Sequence, residues 1–182
     1  MLILGIDPGS NHTGYGLVEA GRGPERLVTC GVLDLDARDD HGARLLKINE
    51  RMGALIETHH PDEVAVEMPI FGRDPQALLK LGRAQAAAML AALQRGLPVT
   101  QYTPAEVKKA VTGNGNATKE AVYRMVQALL KLDTKVGFDA TDALAVALCH
   151  LNQGRAGSVQ ASGGGRKRKG AADLLAERLK PA

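Results

Sequence analysis

Two aspartates three residues apart, Asp139 and Asp142, head an apolar run, Phe-Asp-Ala-Thr-Asp-Ala-Leu-Ala-Val-Ala-Leu, that otherwise has no use for charge. On a helix this spacing puts both carboxylates on one face, with their Cβ atoms roughly 5–6 Å apart. Acids in a first helical turn are favoured by the macrodipole, and Asp139 can equally be an N-cap. Yet two close carboxylates on a buried element raise each other's proton affinity unless a cation compensates them. Two further acids end apolar strands. Asp7 closes Leu-Ile-Leu-Gly-Ile-Asp ahead of Pro-Gly, and Glu67 closes Val-Ala-Val-Glu ahead of Met-Pro. Taken singly, Asp7 is also a turn-initiating residue and Glu67 an ordinary strand-end charge. If the four converge, they offer oxygen ligands alone, which selects hard cations such as Mg²⁺ or Mn²⁺. Two such ions about 3.5–4 Å apart activate a water on one side of a phosphate and stabilise the leaving oxygen on the other. The chemistry implied is phosphodiester hydrolysis by in-line displacement.

The elements that must position these acids are read from hydrophobic period and breakers. Residues 2–7 read as a buried strand, 8–13 as a turn, 14–20 as a second strand completing a hairpin, and 27–35 as a third strand. Apolar residues recur at helical spacing over 42–58 until Pro61, and Val64 and Val66 mark a short fourth strand ending at Glu67. A helix over 76–95 is rich in Gly and Ala, so another element can approach it closely, and 97–102 supplies a fifth strand. Thr103-Pro104-Ala105-Glu106 has the form of a capping box with proline in the first turn. A short helix, a Gly-Asn loop over 112–117, a helix over 119–132 and a last helix over 139–152 follow. A hairpin-led set of strands followed by alternating helix and strand is an α/β layer architecture with a five-stranded mixed sheet flanked by helices. The pattern alone does not order the strands.

At 182 residues, with 45% apolar and 24% charged side chains, the chain suits one ordinary cored domain, expected over 1–152. Residues 154–170 are Gly, Ser and basic residues with no apolar pattern, so 153–182 is expected to be a disordered tail, with a brief amphipathic helix conceivable over 171–179. Cys30 and Cys149 stand far apart in apolar surroundings, which supports neither a disulfide framework nor a zinc cluster. The opening residues do not form a signal peptide and no run is long enough to span a membrane, so an intracellular, cytoplasmic protein is expected. The formal charge of +3 conceals a separation: residues 1–72 carry −6, 73–135 carry +6, 136–152 carry −2 and 153–182 carry +5. Carboxylates beside a basic surface suit chemistry on a polyanion, although blocks of charge are also what solvated faces look like.

Four stretches make a family resemblance specific: Ile-Leu-Gly-Ile-Asp-Pro-Gly-Ser at 3–10 with Thr-Gly-Tyr-Gly at 13–16, Val-Ala-Val-Glu at 64–67, Leu-Lys-Leu-Gly-Arg-Ala at 79–84, and Asp-Ala-Thr-Asp-Ala-Leu-Ala at 139–145. Each is weak alone; together, in this order and spacing across most of 1–152, they resemble the RuvC family of bacterial Holliday-junction resolvases. The resemblance implies a ribonuclease H-like fold and a homodimer. It also implies metal-dependent, symmetric nicking of four-way DNA junctions during recombination and repair, with Mg²⁺ the expected ion and Mn²⁺ an alternative. The metal-binding, catalytic positions it implies are Asp7, Glu67, Asp139 and Asp142, the acids reached above from charge and placement. It makes the small-sided helix over 76–95 the expected dimer contact. It also implies a branch-migration motor as partner, for which no docking motif is visible. The family places a base-stacking aromatic shortly after the strand-end glutamate; here Ile70 stands at that position and Phe71 follows, and Phe71 is assigned the role.

Basic residues expected to meet phosphate are Arg73, Lys80, Arg83, Lys108, Lys109, Lys119 and Arg124, of which Lys108, Lys109 and Lys119 flank the Gly-Asn loop. Solvation accounts for any one of them as well. The run Arg166-Lys167-Arg168-Lys169 lies outside the resemblance and adds salt-sensitive DNA attraction or solubility. His12, His59, His60 and His150 receive no role beyond a favourable charge for His59 and His60 at a helix C-terminus. Three other readings remain open at this level. One is an actin-like ATPase or sugar kinase, which shares the Asp-Pro-Gly-Ser loop but needs a second phosphate loop. The others are a junction-binding scaffold with structural carboxylates, and a related nuclease acting on RNA or plain duplex.

Overall fold

The computed structural model describes residues 1–69, 74–132 and 136–160, with side chains of the last helix described as far as Gln153. The elements run β1 (Leu2–Asp7), β2 (His12–Glu19), β3 (Arg26–Asp34), α1 (His41–His59), β4 (Glu63–Glu67), α2 (Pro75–Leu93), β5 (Val99–Tyr102), α3 (Pro104–Thr112), α4 (Lys119–Leu130) and α5 (Phe138–Gln160). The strands form one five-stranded sheet in the order β3-β2-β1-β4-β5. The first three are antiparallel, and β4 and β5 join parallel to β1, so the sheet is mixed as expected. Among the described residues no helix is long and apolar enough to cross a membrane. Cys30 and Cys149 are both free thiols.

Strand parity divides the core into two layers. Leu4, Ile6, Leu17, Val64 and Val66 point to the side covered by α1 and α2. Ile3, Val18, Ala65 and Tyr102 point to the side covered by α3, α4 and α5. The same alternation sends Gly5 and Asp7 of β1, and Glu63 and Glu67 of β4, toward α5. Two acids at adjacent strand ends therefore face one helix because they share parity with buried residues of that layer.

Helix α5 can lie against the sheet only because β1 and β2 present glycine there. A Cβ at Gly14 would overlap the backbone carbonyl of Asp139. One at Gly5 would overlap the carbonyl of Ala143 and stand 2.7 Å from the nitrogen of Ala147. On the helix side Ala140, Ala143 and Ala147 are buried and small, so backbone meets backbone. The far end of α5 is fixed by a polar clip. His150 pairs through Nδ1 with the Tyr102 hydroxyl at 2.8 Å and through Nε2 with Glu63 at 3.0 Å. His150 thus has a structural place that its sequence position did not announce.

Several boundaries differ from expectation. β2 begins at His12, because Thr13 pairs with Leu33 while its hydroxyl donates to the Gly9 carbonyl at 3.0 Å and tightens the turn. Leu97 does not open β5; its N–H is used on the Ala92 carbonyl, closing the turn after α2. α4 stops at Leu130, with Lys131 in the left-handed region at φ 49°. The capping box at Thr103 forms in full. His60 caps α1 through its backbone, with φ 49° and its N–H on the Ile56 carbonyl, and His59 is the basic residue of the last turn, so both stand at the helix C-terminus as expected. α5 runs to Gln160 rather than Asn152, carrying helix through 154–160 where a linker was expected. Gly154 and Gly157 each disfavour helix by about 1 kcal/mol, too little to end one already propagated from the core. The rest of the expected tail, 161–182, lies outside the described residues.

The small side of α2 is used inside the monomer. Ala84, Ala87, Ala88, Ala91 and Ala92 are buried within the monomer, against α1 and the sheet. The outward side instead carries Leu79 and Leu90, 53% and 50% exposed, and Leu79, Gly82, Arg83 and Ala86 border a shallow apolar groove.

Because α5 rests on bare backbone, Gly14→Ala is expected to lower the unfolding free energy by roughly 2–3 kcal/mol, the upper range for overpacking a core. Urea denaturation of the two proteins measures it. A loss below about 0.5 kcal/mol, the scale of a neutral surface change, would show that this contact does not hold the helix.

Candidate metal centre

Asp7 ends β1 and Glu67 ends β4, neighbouring parallel strands in which Ile6 is level with Val66. Their carboxyl groups are hydrogen-bonded to each other. Asp139 and Asp142 come from the first turns of α5, and one carboxylate oxygen from each of Asp7, Asp139 and Asp142 lies within 4.8 Å of the others. Asp7 is thus the common member, linked to Glu67 on one side and to the helix acids on the other. Asp139 lies inside the helix and not at its cap position, since α5 begins at Phe138. Asp7, Glu67 and Asp142 open into a cleft of ≈ 350 Å³ that Lys108 and Lys119 also line, with apolar walls from Leu81, Val107 and Val122.

Gathering acids in a half-buried cleft holds protons on them. Burial pushes Asp7 up from 3.8 to about 6, and the charge of Asp142 adds to this; the Glu67 hydrogen bond and Lys119 pull the other way, and Asp139 adds a smaller push. Glu67 rises from 4.5 to about 8, again first through burial and then through the charge and hydrogen bond of Asp7, with Lys108 only partly offsetting. Asp142 is also raised by burial, against the hydrogen bond and charge of Lys119. The Asp7–Glu67 pair therefore shares a proton near neutrality. Such a cluster takes up positive charge readily, and its donors are oxygen alone, so the residues fit one or two hard divalent cations.

Lys119 shows that fit from within the chain. Its Nζ lies 2.7 Å from Oδ2 of Asp142 and 5.5 Å from the centroid of the Phe138 ring. Burial works against its charge, but the hydrogen bond and charge of Asp142, with Asp139 and Asp7 behind, outweigh it and raise its pKa. Sequence reasoning had placed Lys119 only among phosphate contacts; its reach into the acid cluster depends on α4 starting beside α5, which no local pattern reveals. Phe138 was also missed, although an aromatic next to Asp139 in a chain with two phenylalanines was a visible signal.

The other expected DNA contacts fall into three groups. Lys108 lies in the cleft. Lys80, Arg83, Lys109 and Arg124 are exposed and do not line it. Phe71 and Arg73 lie outside the described residues.

Known proteins resemble this chain along most of its length. Residues 3–150 match the model of the family described as crossover junction endodeoxyribonuclease RuvC. The protein of that description from Salinibacter ruber is 55% identical over 154 residues, covering 84% of this chain and 86% of its own. The one from Myxococcus xanthus is 49% identical, covering 100% and 96%. The solved structure of T. thermophilus RuvC in complex with Holliday junction substrate superposes with a TM-score of 0.81 at 36% identity, over 87% of this chain and 97% of that one. The sheet with its flanking helices is the ribonuclease H-like fold, and with the family model spanning β1 to α5 and relatives about half identical across it, the chain belongs to the RuvC family of crossover junction endodeoxyribonucleases.

Proposed function

We propose that this protein resolves four-way DNA junctions as a homodimer, each subunit nicking one of two strands of like polarity, with Asp7, Glu67, Asp139 and Asp142 holding two Mg²⁺ ions, or Mn²⁺ in their place. The observation that carries the reading is the convergence of Asp7, Asp139 and Asp142 within 4.8 Å at the mouth of a cleft that also holds two lysines. Bound to these oxygens, the ions supply a lowered pKa for water and charge stabilisation at the phosphoryl oxygens.

The chain's own groups do the remaining work. Asp7 is central, sharing a proton with Glu67 until a cation replaces it. Lys108 and Lys119, on opposite sides of the Gly-Asn loop, hold a phosphate of the scissile strand in line with the acids. Lys80, Arg83, Lys109 and Arg124 act further out as a sequence-independent hold on the duplex arms, and Arg73 joins them. Phe71 is the residue proposed to stack on a junction base, a contact worth roughly 1–3 kcal/mol. The exposed leucines of α2, Leu79 and Leu90, support α2 as the subunit contact, and a two-fold dimer matches the symmetry of a four-way junction.

A labelled synthetic junction, incubated with and without Mg²⁺ or Mn²⁺, should be nicked symmetrically only with metal. Asp7→Asn should slow cleavage by about three orders of magnitude, the loss of several kcal/mol of charge stabilisation, while junction affinity stays within a few-fold. Intact cleavage by Asp7→Asn, or no cleavage under either metal, would refute the reading.

A second outcome concerns the metal-free protein. Folded Asp7 and Glu67 hold protons that the unfolded chain, at 3.8 and 4.5, has already lost. The stability they contribute is fully present below those unfolded-chain values and is lost as pH rises from there through about 6 for Asp7 and about 8 for Glu67. In chelator, wild type should therefore lose stability relative to Glu67→Gln between those values, and Mg²⁺ should restore it by mass action. Melting curves at about pH 4, near the unfolded-chain values, and at about pH 8.5, above the folded ones, decide it; parallel behaviour of the two proteins would contradict the assignment.

A further inference from the structure

Lys119 does something that phosphate contact does not explain. Its Nζ lies 2.7 Å from Oδ2 of Asp142, the aspartate whose carboxylate lies within 4.8 Å of those of Asp7 and Asp139. An ammonium there pairs with a carboxylate that a cation held by those three residues would need. The same Nζ lies 5.5 Å from the centre of the Phe138 ring, within the range at which an aromatic face attracts a cation. Phe138 is in turn braced by Tyr123, ring centres 4.9 Å apart. Lys119 opens α4 with its side chain about half exposed (52%), so its stem can turn without disturbing the core.

We propose that Lys119 is an exchangeable counter-cation of the metal centre: it neutralises Asp142 in the metal-free protein, yields that carboxylate to an incoming divalent cation, and stays at the rim over Phe138. The inference rests on the reading of the carboxylates as a cation site. Its physical content is competition. Ammonium and divalent ion draw on the same carboxylate, so the lysine weakens metal binding in the free protein, and each expels the other to the same degree. A residue serving only to hold DNA would leave metal affinity without DNA unchanged. The aromatic seat keeps the displaced charge beside the cleft, where a phosphate of the bound strand can receive it.

The test is Mn²⁺ binding to the full-length protein without DNA, read from the electron paramagnetic resonance of free Mn²⁺, with circular dichroism checking the fold. Lys119→Met should bind Mn²⁺ roughly five- to tenfold more tightly than wild type, within the usual span of coupling between sites, while cutting junctions more slowly. Lys119→Arg, which keeps the charge, should bind Mn²⁺ nearer to the wild-type affinity than Lys119→Met does. Folded Lys119→Met binding Mn²⁺ no more tightly than wild type would overturn the proposal and leave the junction-nuclease reading standing. No Mn²⁺ uptake by wild type or variant would overturn both.

Discussion

The site depends on α5 lying directly on the backbone of the β1–β2 hairpin. Side chains normally hold a helix off the sheet it packs on, and a helix held off in that way would carry Asp139 and Asp142 away from Asp7. Gly5 and Gly14 remove the intervening side chains, and the alanines of α5 remove them from the other side. The close approach is what brings helix carboxylates within reach of a strand-end carboxylate. Strand parity does the rest, since Asp7 and Glu67 share the alternation that turns Ile3 and Ala65 toward α5.

This closeness has an electrostatic consequence that the sequence foreshadowed in kind but not in detail. Close acids beside a buried helix were expected to raise one another's proton affinity, and Asp7, Glu67 and Asp142 are all raised, with burial the leading cause in each. The internal lysine was not foreseen in that role. A cluster of four acids would be hard to bury alone. Lys119 and Lys108 moderate it from the open side of the cleft, so the charge separation read along the chain, acidic 1–72 against basic 73–135, becomes a charge balance in space.

What could be read in the sequence was whatever depends on local period and local chemistry. The five strands, the capping box at Thr103 and the strand-end acids all announce themselves within a few residues. Strand order did not, because β4 inserting beside β1 is a long-range choice that no hairpin signal encodes. The alanine-rich side of α2 was ambiguous for the same reason: small residues show that something approaches closely, not which element does, and here α1 and the sheet do so. The end of α5 was misplaced because glycine content was read as a stop, whereas a helix nucleated by a buried core runs on through weak formers. Gly5 and Gly14 were in view as part of a strand pattern, but their meaning required knowing which helix lay above them.

The other end of α5 completes the constraint. His150 is almost fully buried, yet both ring nitrogens are satisfied, by Tyr102 on β5 and Glu63 at the start of β4. Leaving either unpaired would cost on the order of 1–3 kcal/mol, so the clip fixes the helix against the same strand, β4, that carries Glu67 at its opposite end. A helix tied at His150 and seated on glycine near Asp139 cannot relieve the repulsion of its acids by rotating or lifting away. The repulsion is met instead by positive charge: a proton shared by Asp7 and Glu67 and an ammonium on Asp142. The pull of the site on positive charge is therefore a property of the frame as much as of the four carboxylates, since the same acids on a helix free to move would separate and lose it.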